Sequence, residues 1–216
     1  MAFATIGTAG IQAQSIDLST KVTGTLPVPN GGLGIASGTT GQYLKFSGTE
    51  TLASATAGIT EYDVWRLTAD VTTGGQTITS NLARTTVLGF QKIGTGMSES
   101  SGVFTFPGTG IWEVYARLSA NNGANKVRSA TCQIQYTANN SSYAQVLSAT
   151  GNMYDDGTEN TYFVGDTKFT FDITDTANQK VKFHLTSDDN NSTFGGSTST
   201  TNANGCVFVF TRLGDT

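Results

Sequence analysis

The segment from Gly102 to Leu118 constrains the fold more than any other part of this chain. It begins with a turn, passes through a strand that Pro107 interrupts, and continues into a long alternating stretch. One face of that stretch carries Trp112, Val114, Ala116 and Leu118. A period of two residues is typical of a strand with one buried face, whereas a helix would scatter these side chains around its axis. The segment therefore predicts an all-β sandwich.

The composition also favours strands over helices. Only 13% of the 216 residues are charged and 26 are Gly, while Thr, Ser and Asn are plentiful. This balance is typical of strands and turns, because surface helices are usually rich in Lys and Glu. At roughly 100 to 200 residues per domain, the length allows one large or two small domains with a hydrophobic core.

Charge and the length of the apolar runs exclude two classes of partner. The formal net charge is -4 and no cluster of Lys and Arg could neutralise phosphates, so we expect no nucleic-acid partner. We expect no membrane insertion either, since no apolar run approaches the roughly 20 residues that a spanning helix needs. The first basic residue is Lys21, so the start lacks the charged region of a signal peptide and predicts synthesis in the cytoplasm.

The pattern of apolar residues divides the chain into two parts. Residues 1–58 are poor in large apolar groups and rich in Gly, Thr, Ser and Ala, which predicts an extended arm and stalk. Within this part, residues 41–46 are compatible with one short strand. Residues 61–216 show strand after strand, at the spacing of a jelly-roll head without a central helix. The predicted strands are Val64–Ala69, Thr77–Thr79, Thr86–Ile93, Val103–Phe106, Gly110–Ala120, Val127–Thr137, Tyr143–Ala149, Thr161–Val164, Lys168–Thr174, Lys180–Thr186 and Gly205–Leu213.

The last predicted strand is apolar on both faces. Cys206, Phe208 and Phe210 alternate with Val207 and Val209. One face of a sheet in a small sandwich normally meets water, so a second apolar face predicts burial against another subunit. We therefore take Val207 and Val209 as candidate oligomer-interface residues. The alternative is that a loop of the same chain covers this face.

The two cysteines, Cys132 and Cys206, are far apart in the sequence and do not have the spacing of metal ligands. Both lie on apolar strand faces, where Cys commonly acts as a small hydrophobic residue. We expect buried free thiols. A disulfide between them is the alternative, which cytoplasmic synthesis disfavours.

The spacing of Phe104, Gly110, Trp112 and Val114 resembles the signature of C1q-like domains, and residues 204–210 resemble the closing strand of that family. Met97, Lys92 and Val114 replace the residues that are usual there. The resemblance covers roughly residues 61–216. It implies a jelly roll related to tumour-necrosis-factor-like domains, a compact homotrimer, and a recognition head at the end of a stalk.

A second resemblance lies in the N-terminal part. Residues 17–34, followed by residues 41–48, are similar to segments that are common in bacteriophage tail-fibre proteins, with Leu33 in place of the usual Thr. Proline stiffens such a chain, and glycine lets copies of the backbone pass closely. The candidate stalk and anchor residues are Pro27, Pro29, Asn30, Gly31, Gly32 and Gly34. The resemblance implies a virion protein whose arm binds other virion proteins; a plain flexible linker is the alternative.

Nothing in the sequence indicates catalysis or a cofactor. His184, the sole histidine, lies between lysines on a polar strand face, which is typical of a solvated residue. The acidic stretches 155–160 and 188–191 carry oxygen ligands that calcium prefers, but neither has EF-hand spacing, and solvated turns are the simpler interpretation. A glycosidase would need a carboxylate pair that sequence cannot place. We expect no enzyme, no cofactor and no metal site.

These observations together predict a bacteriophage fibre protein located in the virion. Its arm would anchor to the particle, and its trimeric head would bind a glycan or protein on the host surface. The loops expected to make that contact are residues 121–126, 139–143, 155–160 and 187–201, which are rich in Asn, Ser, Asp and Tyr. The alternative is a structural role in the virion, as a capsid fibre, decoration or tail-assembly protein without receptor binding.

Overall fold

A computed structural model describes residues 39–48, 51–86, 92–122, 127–153, 158–188, 192–196 and 205–216. The chain divides into two compact units, Met1–Gly58 and Ile59–Thr216. In the first unit, β1 (Gln42–Gly48) and β2 (Thr51–Thr56) form an antiparallel hairpin, so the short strand expected at residues 41–46 is present. The six candidate stalk residues between positions 27 and 34 lie outside the described residues.

The described part of the second unit consists of strands and the turns that join them. The strands are β3 (Tyr62–Leu67), β4 (Val71–Thr72), β5 (Gly75–Thr77), β6 (Leu82–Arg84), β7 (Ser98–Ser100), β8 (Val103–Thr105), β9 (Gly110–Asn121), β10 (Ser129–Thr137), β11 (Ala144–Asn152), β12 (Tyr162–Ile173), β13 (Lys180–Ser187), β14 (Thr193–Phe194) and β15 (Val207–Gly214). No helix in the described ranges is long and apolar enough to cross a membrane.

These strands form two antiparallel sheets. The smaller has six strands in the order β11-β10-β13-β8-β7, with β5 also paired to β13. The larger has seven strands in the order β4-β14-β9-β15-β3-β6, with β12 also paired to β9. Sequential strands are repeatedly placed in different sheets, so the connections cross between the layers as they do in a jelly roll. The prediction of an all-β jelly-roll sandwich is confirmed.

The core between the two sheets contains a cluster of packed aromatic rings. Phe183 of β13 stacks on Phe208 of β15 with ring centroids 4.1 Å apart, and Phe104 of β8 lies 4.9 Å from Phe210. Such ring pairs add roughly 0.5 to 1.5 kcal/mol each to the free energy gained by burial. The alternating faces predicted for the strands are the buried ones: Trp112, Val114, Ala116, Leu118, Ala130, Cys132, Ile134, Val181, Phe183, Leu185, Cys206, Phe208 and Phe210.

Two predicted strands, Thr161–Val164 and Lys168–Thr174, are in fact one continuous strand, β12. Residues 165–167 between them were not included in any predicted strand. In the structure Gly165 lies opposite Leu118, and a Cβ at this position would come 2.3 Å from the ring of Phe163. The glycine is therefore needed for close packing inside a strand rather than for a turn.

The strand predicted over Thr86–Ile93 was wrong where the structure describes it. Thr86 lies outside any strand, and Ile93 forms only an isolated bridge to Tyr62; residues 87–91 are outside the described ranges. The strand in this region is β6, which ends at Arg84. Five strands were not predicted: β2, β4, β6, β7 and β14. Except for β2, each has only two or three residues, too few for an alternating pattern to stand out.

The carboxylate of Asp63 in β3 is buried, with 1% of the residue exposed. It accepts hydrogen bonds from the Trp65 indole at 2.9 Å, from Arg84 at 2.7 and 2.9 Å, and from the Met97 amide at 2.8 Å. These bonds satisfy a charge that would otherwise be costly to bury. The hydrogen bond to Asp63 also raises the pKa of Arg84. The cluster joins β3, β6 and the segment before β7.

Both cysteines are buried free thiols, as expected. Burial raises the pKa of Cys206 to about 11, and burial also raises the pKa of Cys132. The reactive form of a cysteine is the thiolate, so these two thiols are protonated at neutral pH and react poorly with electrophiles.

We predict that Gly102→Ala strongly destabilises the head. Gly102 has a φ of 82°, and a Cβ there would lie 1.7 Å from the carbonyl oxygen of Ile78. Strain and overlap together cost about 3 kcal/mol, which urea unfolding of the purified protein would measure. The control is Gly108→Ala, where a Cβ meets nothing within 4 Å and the change should stay within about 0.5 kcal/mol. Equal effects of the two substitutions would contradict this prediction.

We predict that Asp63→Asn lowers the free energy of unfolding by about 2 to 4 kcal/mol, because Arg84 loses its counter-charge and an amide N–H₂ faces other donors. The control is Glu113→Gln, which breaks the 3.1 Å ion pair with the exposed Lys168 and should cost at most about 1 kcal/mol. Urea unfolding of both variants checks the comparison, and an Asp63→Asn variant as stable as the control would refute it.

Candidate functional site

The last strand, β15, lies in the middle of the larger sheet, between β9 and β3. Its alternation directs Phe208 and Phe210 into the core and leaves Val207 and Val209 on the outer face. The two valines are half-buried in the single chain. The structure therefore places both candidate interface residues on one side of one sheet, at its centre rather than at an edge.

Neighbouring strands complete an apolar row around Val209. The register pairs Val209 with Val64 of β3 on one side and with Tyr115 of β9 on the other. Residues that pair directly across antiparallel strands share a face, so these three side chains form a continuous strip. All three are half-buried. Sequence analysis missed Val64 and Tyr115 because the register between distant strands cannot be read from a single strand.

Charged residues border this strip. Val207 pairs with Arg117, which in turn pairs with Asp166 of β12. Lys168 pairs with Tyr115 and forms an ion pair with Glu113 at 3.1 Å. An apolar centre with a polar rim is the usual anatomy of a protein interface.

Tyr115 links the apolar centre to the charged rim. Burial raises the pKa of its phenol, and the negative charge of Asp166 raises that pKa further. The hydroxyl therefore stays protonated at neutral pH and can donate a hydrogen bond. Tyr is common in interfaces because it combines a large apolar surface with such a polar end.

Two exposed side chains extend this outer face along β12. Tyr162 is 71% exposed and Val164 is 55% exposed, and they pair with Asn121 and Ser119 of β9. Residues 161–164 were predicted as a strand but not as part of a surface. The sequence did contain this information, because the alternation puts Val164 at the outward position next to Phe163.

The outer face of the smaller sheet has a different chemistry. Its central strands, β10 and β13, present amides, hydroxyls and charges to the outside, and β11 adds further hydroxyls. The residues on this face include Thr131, Gln133, Gln135, Ser148, Thr150, Lys182 and His184. Exposure of these polar groups to water costs little free energy. The apolar strip on the larger sheet is thus a feature of one face only.

His184 belongs to this polar face, as the sequence predicted. Its Nδ1 lies 3.1 Å from the Thr77 hydroxyl. Burial lowers the pKa of His184, and the charge of Lys182 lowers it further. The ring is therefore neutral at pH 7 and bonded to a neighbouring strand, which is a structural role.

The four predicted recognition loops fall into two groups, according to the end of the sandwich at which their flanking strands finish. The strands β9, β11 and β13 end at one end of the sandwich, because Asn121 pairs with Tyr162 and Ala130 pairs with both Gly151 and Ser187. Residues 123–126, 154–157, 189–191 and 197–204 of these loops are outside the described ranges. We call this the loop end. The fourth predicted loop, residues 139–143, lies at the other end, where β3 begins and β15 ends.

Side-chain hydrogen bonds fix the described bases of the loops. At the loop end the buried Asn122 accepts from the Thr161 amide at 2.9 Å, and Asp188 accepts from the amides of Arg128 and Ser129. Asp188, which was considered as a calcium ligand, is therefore bonded to backbone amides. Within the described ranges no group of three His, Cys, Asp or Glu side chains could hold a metal ion.

Three crystal structures of murine APRIL, at pH 8.5, 5.0 and 8.0, are similar to this chain, with TM-scores of 0.44, 0.46 and 0.45. The sequence identities are 9%, 10% and 9%, and each alignment covers 71% of this chain and 98% or 99% of the APRIL chain. No family model matches the chain, and no curated protein matches it.

Proposed function

We propose that this chain is a bacteriophage fibre protein whose jelly-roll head forms a homotrimer and binds a ligand on the host surface. The observation that supports it most is the contrast between the outer faces of the two sheets. The smaller sheet presents a polar face, whereas the larger one carries the strip Val64, Val209 and Tyr115. A monomer gains nothing from an apolar strip in water, but an oligomer buries it.

The trimer would use this outer face around a threefold axis. Its apolar centre supplies the burial, and the charged side chains of the rim, such as Arg117 and Asp166, orient the copies. The number three comes from the resemblance of residues 104–114 to C1q-like heads. The virion assignment comes from the resemblance of residues 17–48 to phage fibre segments.

Ligand binding would take place at the loop end. The strands that flank three of the predicted recognition loops end there, and hydrogen bonds of Asn122 and Asp188 hold the described residues beside these strand ends. Loops on a rigid sandwich are a common arrangement for recognition, because the scaffold is unaffected by changes in the loops. The loop of residues 139–143 is at the opposite end and is not part of this proposed surface.

We predict that Val209→Asp converts the trimer into monomers while the head stays folded. The new carboxylate would be buried at the centre of the interface against two identical charges, which costs more than the contact gains. Light scattering coupled to size-exclusion chromatography would give the mass, and far-ultraviolet circular dichroism would monitor the fold.

The matched control is Gln145→Asp, which adds the same charge at an exposed position of the smaller sheet. This variant should keep the trimeric mass. A wild-type protein that is monomeric at micromolar concentration, or a Val209→Asp variant that remains trimeric, would refute the proposed interface.

We also predict that the purified chain competes with virions for host cells. Excess protein should reduce phage adsorption, since it occupies the surface ligand, and antibodies against the chain should label fibre tips in electron micrographs. Label spread over the capsid, with adsorption unchanged, would instead show a decoration protein. Release of reducing sugar from host polysaccharide would contradict the expectation that the head is not an enzyme.

A further inference from the structure

The hairpin of β1 and β2 has an uncharged face with large apolar groups. The register pairs Phe46 with Leu52 and Leu44 with Ser54, so these side chains lie on the same face. Gln42 and Thr56 complete it and are bonded to each other at 3.3 Å. We call these six residues the hairpin face. Phe46 is 67% exposed and Leu44 is 41% exposed.

A hairpin of this kind does not hold its conformation alone. Two strands without a third strand or a helix to pack on are at best marginally stable in water. Among the described residues β1 pairs only with β2, and all seven residues of β1 are exposed. Exposed Phe and Leu side chains add a further cost in free energy, because their apolar surface is in contact with water. The hairpin therefore needs another surface against its apolar face.

The chemistry of the hairpin face favours a copy of itself. None of its six residues is charged, so identical faces can meet without bringing like charges together. The opposite face differs, since it carries Lys45 beside Ala53. Six side chains are far fewer than a stable interface between free proteins needs, which is roughly 800 Å² on each partner. A contact this small is stable only if the partners are already tethered.

The head would provide that tether. Residues 57–61 alone separate β2 from β3, and such a linker extends to at most about 20 Å. Copies held together through their β3 and β15 strands would thus keep their hairpins within reach, at a millimolar effective concentration. At this effective concentration even a weak apolar contact between the hairpins is formed in most assemblies.

We propose that the β1–β2 hairpins of the three copies pack against one another through their hairpin faces, and form a second oligomer contact apart from the head. This proposal rests on the trimer proposed above. It assigns Leu44, Phe46 and Leu52 to the inside of the assembly and Lys45 to its outside. The hairpin is then a structural element of the stalk rather than a flexible spacer.

Cysteine crosslinking of the full chain tests this packing. Phe46→Cys would place a thiol on the hairpin face, and Lys45→Cys would place one on the opposite face of the same strand. The native cysteines are buried and react poorly, so wild-type protein gives the background. With a short bis-maleimide, we expect Phe46→Cys to form covalent dimers on a denaturing gel several-fold more than Lys45→Cys does.

Leu52→Cys repeats the test from the other strand and should crosslink about as well as Phe46→Cys, in case the latter perturbs the hairpin. The mass of each variant is measured by light scattering before crosslinking. A trimeric mass with equal or absent crosslinking at positions 46 and 45 would overturn the hairpin packing and leave the head trimer intact. A monomeric mass of the wild-type chain would overturn both proposals.

Discussion

The contact between Phe183 and Phe208 holds the two sheets of the head together. The rings stack with centroids 4.1 Å apart, one from the middle of each sheet, and Phe104 and Phe210 continue the contact beside them. Each sheet on its own would expose an apolar face, so neither is stable without the other. The faces of the two sheets that point outward follow from this packing arrangement.

The two faces of β15 have different structural roles. Its inward residues, Phe208 and Phe210, belong to the core, while its outward residues, Val207 and Val209, belong to the surface strip. A strand in the centre of a sheet cannot change its register by one residue without exchanging these sets. The core therefore fixes which side chains the larger sheet presents, and an oligomer interface built there inherits the rigidity of the core.

Strong alternation made most of the fold predictable. Long strands such as β9, β10 and β13 show a clear two-residue period, and their buried faces are those that the sequence indicated. Short strands such as β4 and β14 were missed because two residues carry no period. The break predicted between Val164 and Lys168 contains Gly165, and a glycine that makes room for Phe163 looks the same in sequence as a glycine in a turn.

The candidate interface was only half predictable. Val207 and Val209 were found because an outward valine next to an inward phenylalanine is visible in one strand. Val64, Tyr115 and the position of Asp63 depend on which strands become neighbours, and that information lies in contacts between residues far apart in the chain. The grouping of the loops was likewise fixed by the topology, which separated residues 139–143 from the others.

The position of the chain ends has a mechanical consequence. The head begins at β3 and finishes with β15 at one end of the sandwich, whereas β9, β11 and β13 end at the other. A pull between those two ends runs parallel to the strands. Hydrogen bonds between antiparallel strands are perpendicular to the strand direction, so such a load acts on many of them at once instead of opening them one by one. The sandwich is thus oriented to resist tension along the strand direction.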